Sequence, residues 1–160
     1  MERLDAFAAR LERLMLIVLL AVMVILGLLQ IISRFVIKAP IMWSEALLMY
    51  MFVWFSFLGA GLAVRELSHF EVEIFVVRLP QTIQKLLSLA VYLMIFAFAV
   101  FMIWKGLFLV KLNQRQLMAM MPFTMSGPYM ILPLSGTFMA IHSLAHLTGL
   151  FSRHHTEWRD

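Results

Sequence analysis

Four long stretches of the chain lack charged residues, and their lengths predict membrane-spanning helices. These stretches cover 14–33, 46–64, 86–104 and 116–152. Because a helix rises about 1.5 Å per residue, the last is too long for one perpendicular helix across a hydrocarbon layer of about 30 Å. Pro122, Gly127 and Pro128 divide it and leave 129–151 as the fourth span. We therefore predict an all-α integral membrane protein with four transmembrane helices in a single membrane domain, 1–160.

Three shorter segments lie outside the four predicted spans: 1–13, 66–80 and 116–128. In the segment 1–13 an apolar stripe that includes Leu4, Phe7 and Leu11 lies apart from the charged positions, which predicts an amphipathic helix. Such a helix lies in the headgroup layer or extends the first span into the cytoplasm, and the pattern leaves both interpretations open. Segments 66–80 and 116–128 are predicted to be short interfacial segments.

Composition and charge exclude several classes of protein. Hydrophobic residues make up 63% of the chain and charged residues only 14%, with a mean hydropathy of +0.93, which does not suit a soluble domain. The net charge of +4 rests on few residues, so we expect membrane lipids around the chain and no nucleic-acid partner. Cysteine is absent, which excludes disulfides and thiolate chemistry. Eight Lys and Arg residues lie on the side of the two termini and five on the opposite side, which favours cytoplasmic termini.

Charged residues at the membrane boundary are the first candidates for a function. Arg34 ends the first span and Glu45 begins the second, across a short loop turned by Pro40. The two side chains could form a bidentate pair. Such a pair would act as a headgroup anchor or hairpin clasp, or contact a substrate or ion. Trp43 is expected to be an interfacial belt residue.

The second span carries a patterned face that could dock a partner. Five residues fall on one side of the helix: Trp43, Tyr50, Trp54, Phe57 and Gly61. Gly59 and its neighbours are small, which permits close approach of another helix. We interpret this face as a helix–helix packing surface, with Trp54, Phe57, Gly59 and Gly61 as candidate contacts to a partner.

The histidines do not form a recognisable metal site. Arg65 and His69 follow at the far end of the second span, and His69 has glutamates nearby, but the spacing fits no zinc signature. His142 and His146 lie four residues apart without the glutamate of a zinc protease motif. We expect these two to pack or to hydrogen bond with Ser or Thr of neighbouring spans.

No arrangement of residues suggests catalysis or autonomous transport. No acidic residue lies in the centre of a predicted span, and we find no nucleophile, phosphate loop, cofactor site or metal site. Only the stretch 133–137 resembles a helix break, and it has no counterpart in the first half of the chain. The chain is therefore predicted to be a scaffold rather than an enzyme.

The order of several short motifs resembles a known family. These motifs are the run 30–34, Pro40, the run 43–45, the run 59–61, Arg65 and His69, followed by 114–116, Pro122, Tyr129, Pro133 and Gly136. Over residues 14–150 they resemble the small membrane (DctQ-like) subunit of tripartite ATP-independent periplasmic (TRAP) transporters. The methionine-rich stretch 118–121 departs from the more polar connection expected there.

The resemblance implies a division of labour between three proteins. A periplasmic solute-binding protein captures an organic acid, and a large multi-span permease subunit carries it with sodium ions by an elevator movement. The small subunit binds the large one in the bacterial inner membrane and braces its immobile scaffold. With both termini cytoplasmic, Arg34, Glu45 and 105–128 would be periplasmic, and Arg65 and His69 cytoplasmic.

Two other classes of function remain open. A haem-binding membrane anchor of a respiratory enzyme is suggested by His69, His142 and His146. An autonomous small transporter or channel is disfavoured because the predicted spans lack an acidic coupling residue.

Overall fold

Four long helices and one helical turn make up the described part of the chain. The computed structural model describes residues 2–67, 80–118 and 120–152. The helices are α1 (Glu2–Phe35), α2 (Met42–Leu67), α3 (Gln81–Leu112), α4 (Ser126–Tyr129) and α5 (Ile131–Ser152). Four helical stretches are long and apolar enough to cross a membrane: Arg3–Phe35, Met42–Glu66, Ile83–Leu112 and Ser126–Gly149. The prediction of an all-α membrane protein with four spans is therefore confirmed.

Segment 1–13 is helical from Glu2 onward, as predicted, and extends the helix of the first span, which was one of the two interpretations left open. Helix α1 continues unbroken from Glu2 to Phe35, a rise of about 51 Å. Ala9 and Glu12 are buried at 1% and 0% exposure, whereas Leu4 and Phe7 are 65% and 68% exposed. The segment thus turns its alanines and acidic side chains towards the other helices, whereas its large apolar residues and its arginines face outward.

Helix α5 is the centre of the bundle and contacts α1, α2 and α3. Its approach to α3 depends on glycines. A Cβ atom at Gly106 of α3 would lie 2.6 Å from Pro133 Cδ, and one at Gly136 of α5 would lie 3.0 Å from the Ala99 carbonyl oxygen. Small residues at these positions allow the two backbones to approach closely, as is usual between membrane helices.

The expected helix break at 133–137 is wrong. Helix α5 begins at Ile131 and passes through Pro133 without interruption. Pro133 lies in the first turn, where a backbone N–H has no acceptor within the helix, so the missing donor costs little. The Thr137 hydroxyl donates to the Pro133 carbonyl at 2.7 Å.

The connection between α3 and α5 is compact. Leu117 and Thr124 form an antiparallel bridge, and the Met118 N–H donates to the Phe123 carbonyl at 2.8 Å. Helix α4 then leads into α5. The location of 116–128 at a membrane interface stays a prediction. The other predicted interfacial segment, 66–80, lies almost entirely outside the described residues.

Candidate functional site

Four ionisable side chains from three helices meet inside the bundle. Asp5 and Glu12 are seven residues apart on α1 and therefore share a face. His142 of α5 is fully buried between them, with its Nδ1 2.5 Å from Asp5 Oδ1 and its Nε2 2.8 Å from Glu12 Oε2. Arg65 of α2 donates from Nε to the other Asp5 oxygen, Oδ2, at 2.8 Å. We refer to Asp5, Glu12, Arg65 and His142 as the buried charge cluster.

A glycine makes room for the buried glutamate. Glu12 is 0% exposed, and its second oxygen, Oε1, has no hydrogen-bond partner. A Cβ atom at Gly61 of α2 would lie 2.5 Å from this oxygen. The Glu12 carboxylate thus occupies the space that a side chain at position 61 would need, and a larger residue there would displace it.

Two further contacts surround the cluster. Arg13 and Glu66 form an ion pair at 3.0 Å, but both side chains are more than half exposed, so the pair adds little stability. One turn beyond His142, the ring of His146 stacks on Tyr92 of α3 with 4.9 Å between centroids. All four long helices therefore contribute to the polar region of the bundle.

The expected partners of His142 were wrong. Its ring contacts carboxylates of α1 rather than Ser or Thr of neighbouring spans. The prediction failed because the charge-free run that defined the first span left out Asp5 and Glu12, which belong to the same continuous helix, α1. A usable signal was present, since Asp5 and Glu12 are seven residues apart and therefore share one side of the helix, next to the apolar stripe.

The geometry also bears on the haem and metal alternatives. Both ring nitrogens of His142 face carboxylate oxygens, so this side chain has no lone pair to offer to an iron atom. Within residues 2–67, 80–118 and 120–152, no group of three His, Cys, Asp or Glu residues is arranged to hold a metal ion. His69 lies outside the described residues.

The two charged residues at the opposite end of the bundle do not meet. Both Arg34 and Glu45 are exposed, and the described part of the chain contains no ion pair between them, contrary to the pairing that the loop suggested. The Arg34 guanidinium instead lies 5.9 Å from the centroid of the Phe35 ring. Trp43, which is 41% exposed, lines an apolar cavity of about 300 Å³ with Leu47 and several side chains of the connection after α3.

Most residues on the patterned face of α2 contact other parts of the same chain. Trp54 donates from Nε1 to the Pro128 carbonyl at 3.2 Å, Phe57 packs in the hydrophobic core, and Gly61 faces Glu12. Gly59 differs, because a Cβ there would meet nothing within 4 Å. Contact of this face with a partner stays a prediction, and of its two glycines Gly59 has open space beside it whereas Gly61 does not.

Together these features define a multi-pass membrane protein whose buried ionisable groups join its own helices. Residues 23–153 match the family model described as the DctQ component of tripartite ATP-independent periplasmic transporters. Since this match covers most of the chain, the protein belongs to the family of the DctQ component of these transporters.

Several relatives carry names from the same transporter class. The chain is 29% identical over 115 residues to the isethionate TRAP transporter permease protein DctMQ of Oleidesulfovibrio alaskensis, which covers 69% of this chain and 18% of that protein. It is 36% identical over 67 residues to the sialic acid TRAP transporter permease protein SiaT of Haemophilus influenzae, covering 42% and 11%. A protein of Haemophilus influenzae that is provisionally named a TRAP transporter small permease protein is 34% identical over 88 residues, covering 55% of each chain. The matched segments thus span from about a tenth to about half of these relatives.

Proposed function

We propose that this chain is the small permease subunit of a sodium-coupled TRAP transporter for an organic acid. In this proposal it binds a large multi-span permease subunit and braces the static part of that subunit, while a periplasmic solute-binding protein delivers the cargo. The match of residues 23–153 to the DctQ family carries the proposal. Two relatives are named for isethionate and sialic acid, both organic acids, and this supports an organic acid as the cargo.

The internal pairing of charges supports a bracing role. Asp5 and Glu12 are engaged by His142 and Arg65, so these carboxylates are committed to joining α1, α2 and α5. A transported ion or acid would need polar groups that are free to exchange partners. An elevator-type movement, by contrast, needs a part that stays still. Helices that are joined by buried ion pairs meet that requirement.

The outward side of α2 is the surface that we propose for the large subunit. Met49 and Phe52 are exposed, and Ser56, Gly59 and Ala63 continue the same stripe towards the end of the helix. Small residues along such a stripe allow a second helix to approach closely. This assignment moves the predicted contact from Trp54, Phe57 and Gly61 to the side of Gly59.

A pair of glycine substitutions tests this surface without disturbing the fold. At both Gly59 of α2 and Gly27 of α1, an added Cβ would meet no atom within 4 Å, so a side chain at either place starts into open space. We expect Gly59→Leu to reduce co-purification of the large subunit at least about fivefold, because ΔΔG of about 1 kcal/mol already changes binding about fivefold. Gly27→Leu is the matched control and should leave the yield of complex unchanged. Equal yields from both variants, or a loss confined to Gly27→Leu, would contradict the assignment.

We further propose that both termini are cytoplasmic and that Arg34 and Glu45 face the periplasm. The excess of Lys and Arg on the terminal side supports this orientation. Because the chain has no cysteine, Lys38→Cys in the neighbouring loop would supply a single thiol. Labelling of intact cells by a membrane-impermeant maleimide is expected, and labelling only after lysis would reverse the orientation.

Docking of the solute-binding protein is the role that we propose for Arg34 and Glu45. Both are exposed at the same end of the bundle and are not paired to each other, which leaves them available to a partner. Reversal of both charges, Arg34→Glu with Glu45→Arg, should weaken docking and slow transport. Unchanged docking and transport would show that this role is wrong.

A further inference from the structure

The contacts of His142 require more protons than a neutral histidine carries. An ionised carboxylate can only accept hydrogen bonds, and a neutral imidazole has a single N–H. In this structure both ring nitrogens lie within hydrogen-bond distance of carboxylate oxygens, Nδ1 at 2.5 Å from Asp5 and Nε2 at 2.8 Å from Glu12. Both contacts are favourable only if a second proton is present, either on the ring or on the Glu12 carboxyl group.

The balance of buried charge also requires this second proton. With that second proton, the carboxylates of Asp5 and Glu12 are matched by Arg65 and His142, and the cluster is neutral. Without it, one negative charge stays buried without compensation, which is strongly unfavourable. The neighbouring groups do not alter this balance. The buried Nε2 of His146 has no hydrogen-bond partner, which disfavours a charged ring, and the exposed Arg13–Glu66 pair balances itself.

We propose that the contact between His142 and Glu12 is a proton-binding site that holds α1 on α2 and α5. The proton lies in the hydrogen bond between Nε2 and Oε2. Glu12 is fully buried and its other oxygen lies against Gly61, so loss of the proton leaves two lone pairs facing each other in a confined space.

The stability of the bundle should decrease as the pH rises. The folded bundle binds this proton more strongly than the separated helices do, because only the bundle places a buried carboxylate beside the ring. Stability that depends on a proton bound in the folded state is present at neutral pH and decreases as the pH rises. Alkaline conditions should therefore release α1 from the bundle.

An isosteric substitution at Glu12 can keep the hydrogen bond to His142 while removing its dependence on the extra proton. In Glu12→Gln the side-chain amide N–H can donate permanently to Nε2 of a neutral ring, whose Nδ1–H still donates to Asp5. The matched control is Glu66→Gln, which makes the same chemical change at an exposed ion pair. The full chain solubilised in mild detergent is heated at pH 7 and at pH 9.5, with unfolding followed by tryptophan fluorescence.

The expected result is a difference between the two variants. The unfolding midpoints of wild type and Glu66→Gln should fall from pH 7 to pH 9.5 by about 5 °C more than that of Glu12→Gln, a shift that a single buried group can produce. An equal fall in all three proteins would overturn the proposal.

A second comparison measures the yield of folded chain and therefore remains informative when a variant folds poorly. His142→Gln leaves two carboxylates against one guanidinium, so the yield of folded chain should drop. Adding Glu12→Gln restores the charge balance and should raise that yield several-fold. A double variant that yields no more than His142→Gln alone would overturn the proposal.

Discussion

The contact between Gly61 and Glu12 gives the most specific prediction for stability. In Gly61→Ala the new Cβ would lie 2.5 Å from Glu12 Oε1, whereas ordinary contact begins at about 3.4 Å. The carboxylate must therefore retreat by about 0.9 Å, the difference between these two distances. A displacement of that size is enough to stretch the 2.8 Å hydrogen bond to His142 beyond the usual range.

The magnitude follows from the effects that act at this position. Overpacking of a tight interior costs about 1–3 kcal/mol. Replacement of a helical glycine by alanine offsets about 1 kcal/mol of this loss. We therefore expect Gly61→Ala to lower the free energy of unfolding by up to about 2 kcal/mol.

The neighbouring glycine supplies the control. Gly59→Ala makes the same substitution two residues away on α2, where the new Cβ meets nothing within 4 Å, so it should be neutral or slightly stabilising. Unfolding of both variants in mixed micelles of mild detergent and SDS can be followed by circular dichroism. Equal stability of the two variants would refute the argument that Glu12 occupies the space beside Gly61.

Three smaller predictions follow from single contacts. Gly106→Ala should destabilise the chain by about 1–3 kcal/mol, because its Cβ would collide with α5, whereas Gly27→Ala should not, and thermal unfolding of both checks this. Trp54→Phe removes the donor to the Pro128 carbonyl and should cost about 1 kcal/mol, measured in the same assay. Arg13→Gln breaks only an exposed ion pair and should change the unfolding midpoint by less than about 2 °C, and a larger change would mean that this pair supports the cluster.

The spans were predictable because hydrophobic length is a local property of the sequence. The charge-free runs located the four membrane helices, although the helices extend beyond those runs. Helix α3, for example, continues past Lys105 to Leu112, since a lysine near a helix end can direct its ammonium group towards water. At the first span, α1 continues beyond the charge-free run as far as Glu2, so that Asp5 and Glu12 belong to the same helix.

The buried charge cluster was not predictable from local patterns. Asp5 and His142 are separated by 137 positions, and nothing in either segment alone indicates that they meet. An acidic residue on an otherwise apolar helix is expected to face water, yet here lipid favours the apolar side and the acids turn inward. Likewise, the pattern on α2 indicated a packing face, but only the contacts distinguish packing inside the chain from packing on a partner.

Reconstitution of transport tests the central claim most directly. Uptake of a labelled organic acid, driven by a sodium gradient and supplied by the solute-binding protein, is measured in liposomes that contain this chain, the large subunit, or both. A brace that carries no cargo predicts no uptake with this chain alone and uptake well above that of the large subunit when both are present. Uptake by this chain alone, or full uptake by the large subunit without it, would contradict the account.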